Sequence, residues 1–142
     1  MLDFLIILFF AKTVLLTPDF VDIDVSNELY KLEFKKPITA INSGANIQLD
    51  VTEMLLGDID KGVIVVRSKI KELFPSGSIE VSLLGKGSNI NLEYSGVLKS
   101  KNSVRLAFTS NQMPTDTEFS SLALKTKVPL KKVRFFWKNH RK

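Results

Sequence analysis

The side chains with chemistry to offer are few and poorly grouped. The only histidine, His140, lies near the C-terminal end of the sequence. A fraying end holds badly the geometry that general acid–base catalysis needs. Asp58, Asp60 and Gly62 resemble the opening of a calcium loop. Counted from Asp58, however, position twelve is Lys69, where such a loop needs a bidentate Glu, and Lys61 adds a positive charge inside it. A hairpin turn accounts for these residues more simply. The stretch Gly85-Lys86-Gly87-Ser88 lacks the spacing of a phosphate-binding loop and also reads as a Gly-rich hairpin. Asp50, Glu53, Glu80 and Glu93 are the carboxylates to weigh as an acid–base pair. Most fall at outward positions of the strands they border, and solvation is the plain reading. The chain has no cysteine, which excludes a disulfide framework, a thiolate zinc site and a cysteine nucleophile. These residues point to a protein that is not an enzyme and holds no cofactor or metal.

Charge is more informative. Between residues 125 and 142 stand eight basic side chains and no acidic one. The rest of the chain holds twelve basic and fifteen acidic residues, so a mildly acidic body carries a basic end. The candidates for an anionic partner, nucleic acid or lipid headgroups, are Lys131, Lys132, Arg134, Lys138, Arg141 and Lys142. Val133, Phe135 and Trp137 alternate with them and belong to a core face. That leaves Phe136 as the one outward aromatic of this strand.

The elements that must position these groups follow from periodicity. Strict apolar–polar alternation marks Tyr30–Phe34, Ile47–Val51, Ile79–Leu83, Ile90–Tyr94, Val104–Phe108 and Val133–Trp137 as half-buried strands. The run "GVIVV" at 62–66 reads as a strand buried on both faces. Short helical turns fit 51–59 and 68–74, where Ile70, Leu73 and Phe74 share a face. Turn residues fall between the strands, at Asn42-Ser43-Gly44, Pro75-Ser76-Gly77 and Lys101-Asn102-Ser103 among others. The echo between "GANIQLD" and "GSNINLE" is two turn-plus-strand patterns, too few copies for a repeat architecture. The fold expected is all-β: a small antiparallel sandwich over residues 18–142, immunoglobulin-like or jelly-roll, preceded by a short hydrophobic helix in residues 1–17.

That N-terminal segment, "MLDFLIILFFAKTVLLT", carries Lys12 as its only charge from Phe4 to Leu16. Three readings compete. It lacks the basic flank and small-residue site of a cleaved signal. As a helix, Met1 to Leu16 would reach about 24 Å, short of a bilayer's hydrocarbon core. The third reading buries it in protein. The anchor, to a membrane or a partner, is assigned to Phe4, Leu5, Ile6, Ile7, Leu8, Phe9, Phe10, Val14, Leu15 and Leu16. The function expected is that of a small structural subunit, oligomeric, in a virion, with or without a membrane, or in an envelope assembly. The alternative is a module that binds nucleic acid or anionic lipid through the basic end.

Overall fold

The computed structural model describes residues 10–16, 20–25 and 29–139. Phe4, Leu5, Ile6, Ile7, Leu8 and Phe9, like His140, Arg141 and Lys142, lie outside the described residues. Nine strands form one sheet: β1 (Phe10–Leu16), β2 (Val21–Ile23), β3 (Leu29–Thr39), β4 (Asn46–Asp50), β5 (Ile79–Gly85), β6 (Ser88–Lys99), β7 (Val104–Thr109), β8 (Glu118–Thr126) and β9 (Leu130–Lys138). Their order across the sheet is β1-β3-β8-β5-β6-β7-β4-β9-β2. The β1–β3 pair is parallel and all the others are antiparallel. The protein is mainly β, as expected, and the sheet curls into a half-barrel.

One continuous sheet thus replaces the two facing sheets of an immunoglobulin-like or jelly-roll sandwich. The device is β6, whose first half pairs with β5 and whose second half pairs with β7. Between them the register slips at Tyr94–Gly96, and Gly96 takes φ +148°. Such a bulge bends a strand and sharpens its twist, so the chain turns a corner without leaving the sheet.

Curling is forced by connectivity. Laid flat at about 4.8 Å per strand, β1 and β2 would stand nearly 40 Å apart. The chain from Leu16 to Val21 spans at most about 18 Å. The two ends of the strand order are therefore drawn together. A second tie acts in the same sense. Asn139, just past β9, accepts a hydrogen bond from the Ile41 backbone N–H (2.9 Å) and donates one to the Thr39 carbonyl (3.2 Å).

Residues 10–16 form a strand where a helix was expected. Phe10, Val14, Leu15 and Leu16 are therefore in β1, hydrogen-bonded in register with Leu29–Phe34. The described helix is instead α1 (Val63–Leu73), and it absorbs most of the "GVIVV" run expected to be a strand. Val66, Ile70 and Phe74 recur every four residues and are all buried, which spells one helical stripe. Gly62, at φ +95°, turns the chain into the helix, and Pro75 follows its end. The short helical turns expected around 51–59 appear as 3₁₀ turns at Thr52–Leu55 and Ile59–Lys61.

The core lies on the concave face. Leu32, Val81, Leu83, Leu122 and Leu124 fill one half, and Ile47, Leu49, Leu106, Phe108, Val133 and Phe135 fill the other. The alternation read from the sequence placed the buried residues of β3, β4, β5, β7 and β9 inward; it did not mark β8 as a strand, and Tyr94, which it also placed inward, is half exposed.

Gly85 closes β5 where it runs against β8. A β-carbon there would lie 2.6 Å from the Glu118 carbonyl oxygen, which is backbone and cannot swing away. Gly85→Ala is expected to cost about 1–3 kcal/mol by urea denaturation. Gly57→Ala, where an added β-carbon meets nothing within 4 Å, should stay within about 0.5 kcal/mol of the parent.

Candidate functional site

Among the described residues, a cleft opens in the gap between α1 and the corner of β6. The helix buries Val66 and Ile70 against the sheet but does not fill the space beside it. A cleft of about 550 Å³ remains, floored by Val97 of β6 and by Leu106 and Phe108 of β7. Ile70 and Phe74 form the helix wall, and Arg67 and Lys71, one turn apart, stand on the helix at its rim. Among the described residues no acidic side chain lines it. Tyr94, carried out by the β-bulge and half exposed, leans on Phe108 with ring centroids 5.8 Å apart. Partial burial pushes the Tyr94 phenol above its usual value, while the Arg67 guanidinium pulls the other way. The hydroxyl therefore stays protonated throughout the neutral range.

A second cleft of about 450 Å³ lies along the N-terminal half of α1, lined by Val63 and Leu98 with Arg67, Lys99 and Arg105. Here the helix exposes its own apolar start. Ile64 is 85% exposed, Val63 48% and Val65 40%, and Leu98 across the cleft is 47% exposed. Isolated exposed apolar residues are ordinary, but here Val63 and Leu98 line one cleft beside cations, and Ile64 and Val65 are exposed on the same helix turn.

The third feature is on the convex face of β7, β4 and β9. Register sets Arg105, Asp50 and Arg134 side by side across the three strands. Asp50 was expected to be solvated like the other strand carboxylates, yet it is buried at 3% exposure. Its carboxylate lies 3.7 Å from Arg105 Nε and 3.6 Å from Arg134 Nη2, and it accepts the Thr52 backbone N–H at 2.9 Å. Gln48 accepts a further bond from Arg105. Phe136, outward as its position in the strand predicts, is the platform of this row. The Arg105 guanidinium sits 4.2 Å above its ring, and Arg134 lies 4.5 Å from the Phe20 ring. Two guanidiniums share one carboxylate, so the row keeps a net positive charge. The Nε–H groups of both arginines are buried without a hydrogen-bond acceptor among the described residues.

The basic residues named from the sequence meet different fates. Lys131 pairs with Asp24 at 3.7 Å, on the surface. Lys132 takes φ +50° and donates its backbone N–H to Asp22. Arg134 joins the Asp50 row, and Lys138 lies 5.8 Å from the Phe136 ring. The structure thus gathers Arg134, Lys138 and Phe136 and sets Lys131 and Lys132 against the acidic β2 region. Arg67, Tyr94 and Arg105 were missed because only the strand order and the placement of α1 bring them to their sites. One signal was legible for Tyr94: the Gly96 that follows it within a strand. The calcium-like loop is closed on itself, with Lys61 Nζ 3.2 Å from Asp58. Gly85–Ser88 is the β5–β6 hairpin.

Among the described residues no helix is long and apolar enough to cross a membrane, and no three His, Cys, Asp or Glu side chains gather as metal ligands. Compared with known protein families, with curated proteins and with solved structures, the chain matches none.

Removing the shared carboxylate leaves two neighbouring cations uncompensated. Asp50→Ala should cost about 2 kcal/mol in urea denaturation, less than for a fully buried pair because water reaches both arginines. In an Arg134→Ala background the same change should cost less, since one of the two cations is already gone.

Proposed function

We propose that this chain is a non-enzymatic structural protein, a small subunit of a larger assembly such as a virion or an envelope complex. The observation that carries this reading is the exposed apolar start of α1. Val63, Ile64 and Val65 are exposed, and Val63 shares a cleft with the exposed Leu98. A helix turn that exposes Ile and two Val residues is costly in water and favourable against a partner. Arg67, Lys99 and Arg105 beside it would set orientation and partner choice more than affinity. The apolar segment at residues 1–17 is proposed as a further holdfast, to a partner or a membrane, with β1 as the part of it that pairs in the sheet. On this reading the protein is oligomeric or hetero-oligomeric and sits in a virion or at a membrane.

In material from its natural source the chain should co-sediment with a particle or an envelope complex. The Ile64→Glu, Leu98→Glu double variant should be soluble and folded but absent from that fraction. Recovery of the parent chain only as a free monomer would sink the proposal.

A second reading draws on the convex face. The row of Arg105, Arg134 and Lys138 around Phe136 combines cations with a ring, the pairing used to hold single-stranded nucleic acid or anionic headgroups. Binding of single-stranded DNA or anionic vesicles would then weaken by orders of magnitude between 50 and 200 mM salt, roughly as counterion release requires. Phe136→Ala should weaken DNA binding and leave the salt slope unchanged, read by fluorescence anisotropy. Association that ignores salt would count against this reading and for apolar docking.

A further inference from the structure

The cleft beside α1 has a one-sided chemistry that neither the assembly face nor the basic strand explains. Its floor is carbon: Val97, Leu106 and Phe108, with Ile70 and Phe74 on the helix wall. Its charge is of one sign, from Arg67 and Lys71 at the rim. Neither cation has an ion-pair or hydrogen-bond partner among the described residues, whereas Lys69 on the same helix pairs with Glu72. A volume of about 550 Å³ falls within the range of small-molecule sites. Tyr94 adds a protonated hydroxyl at the mouth, held there by the bulge that Gly96 makes.

We propose that this cleft binds a single-chain anionic amphiphile. Its apolar tail lies over Val97, Leu106 and Phe108, and its carboxylate or phosphate head is held at Arg67 and Lys71. Each part of the cleft selects. The carbon floor rewards burial of a hydrocarbon chain and offers little to an inorganic anion. The unpaired cations disfavour a cationic head and gain from an anionic one, because a partly desolvated charge pair is stronger than one in open water. A neutral hydrophobe fills the floor but leaves the rim uncompensated. The mouth opens to solvent at the exposed residues Arg67 and Lys71, so the head can stay at the surface while the tail enters.

The test uses the full chain and defined probes below their micelle concentrations. Dodecanoate and dodecyl phosphate are compared with dodecanol, dodecyltrimethylammonium and inorganic phosphate, by calorimetry and by amide NMR shifts. Both anionic amphiphiles should bind, with shifts centred on Arg67, Tyr94 and Gly96. Whichever head binds tighter supports the site and names the head. The Arg67→Gln, Lys71→Gln double variant should lower the affinity for both by tenfold or more and leave dodecanol unchanged. Both substitutions are at exposed positions, and an unaltered NMR spectrum of the free variant shows that the fold is kept. Dodecanol or the ammonium binding as tightly as the anions overturns the proposal. So does inorganic phosphate matching dodecyl phosphate, an affinity indifferent to the double variant, shifts confined to Val63–Val65, or no binding at all. Ile64→Ser, which sets no carboxylate three residues before Arg67, should leave this binding intact, so the cleft can be tested apart from the apolar assembly face although Arg67 borders both.

Discussion

A short connection governs this fold. Leu16 ends a strand at one end of the strand order, and Val21 begins a strand at the other. Five peptide steps cannot cross a flat nine-stranded sheet, so the sheet must curl. Once it curls, the inner face needs filling, and strands alone do not fill it. Val66 and Ile70 of α1, with Phe74 just past its end, supply the missing apolar volume from the open side. Because a cylinder does not match a bent sheet along its whole length, space remains on both flanks of the helix. The clefts thus follow from the same constraint as the fold.

The two faces of the sheet solve different electrostatic problems. The concave face is apolar and excludes charge. The convex face of β7, β4 and β9 carries a buried carboxylate between two guanidiniums, roofed by Phe136 and Phe20. Burying a lone Asp on a sheet would be unfavourable. Two largely buried arginines with flat, weakly hydrated heads make it tolerable, since each offers charge to Asp50 and a stacking surface to a ring. Lysine in either place would keep the charge and lose the stacking.

The faces of the strands were legible in the sequence, and their order was not. Val104, Leu106 and Phe108 announce an inward face because the period of two is written locally. The same logic put Phe136 outward, where it lies. Nothing local says that β4 is flanked by β7 and β9, so Asp50 reads as a solvated carboxylate until its neighbours are known. "GVIVV" misled because four β-branched or apolar residues suit either a buried strand or the first turn of a helix. The stripe that decides, Val66–Ile70–Phe74, begins at its last residue. The segment 10–16 misled in the opposite sense. Its apolar run is short enough for a helix, but its hydrogen bonds go to β3, and pairing at a distance leaves no trace in composition.

The position of β2 has a consequence for how such a chain is made. Its partner is β9, and the bond from Lys132 to Asp22 closes a loop of 110 residues. β3 likewise waits for β8 to complete its inner side. A ribosome releases β2 and β3 before β8 and β9, the strands that complete their pairing. Both ends of the strand order therefore stay incomplete until those later strands arrive, and their folding is a late event.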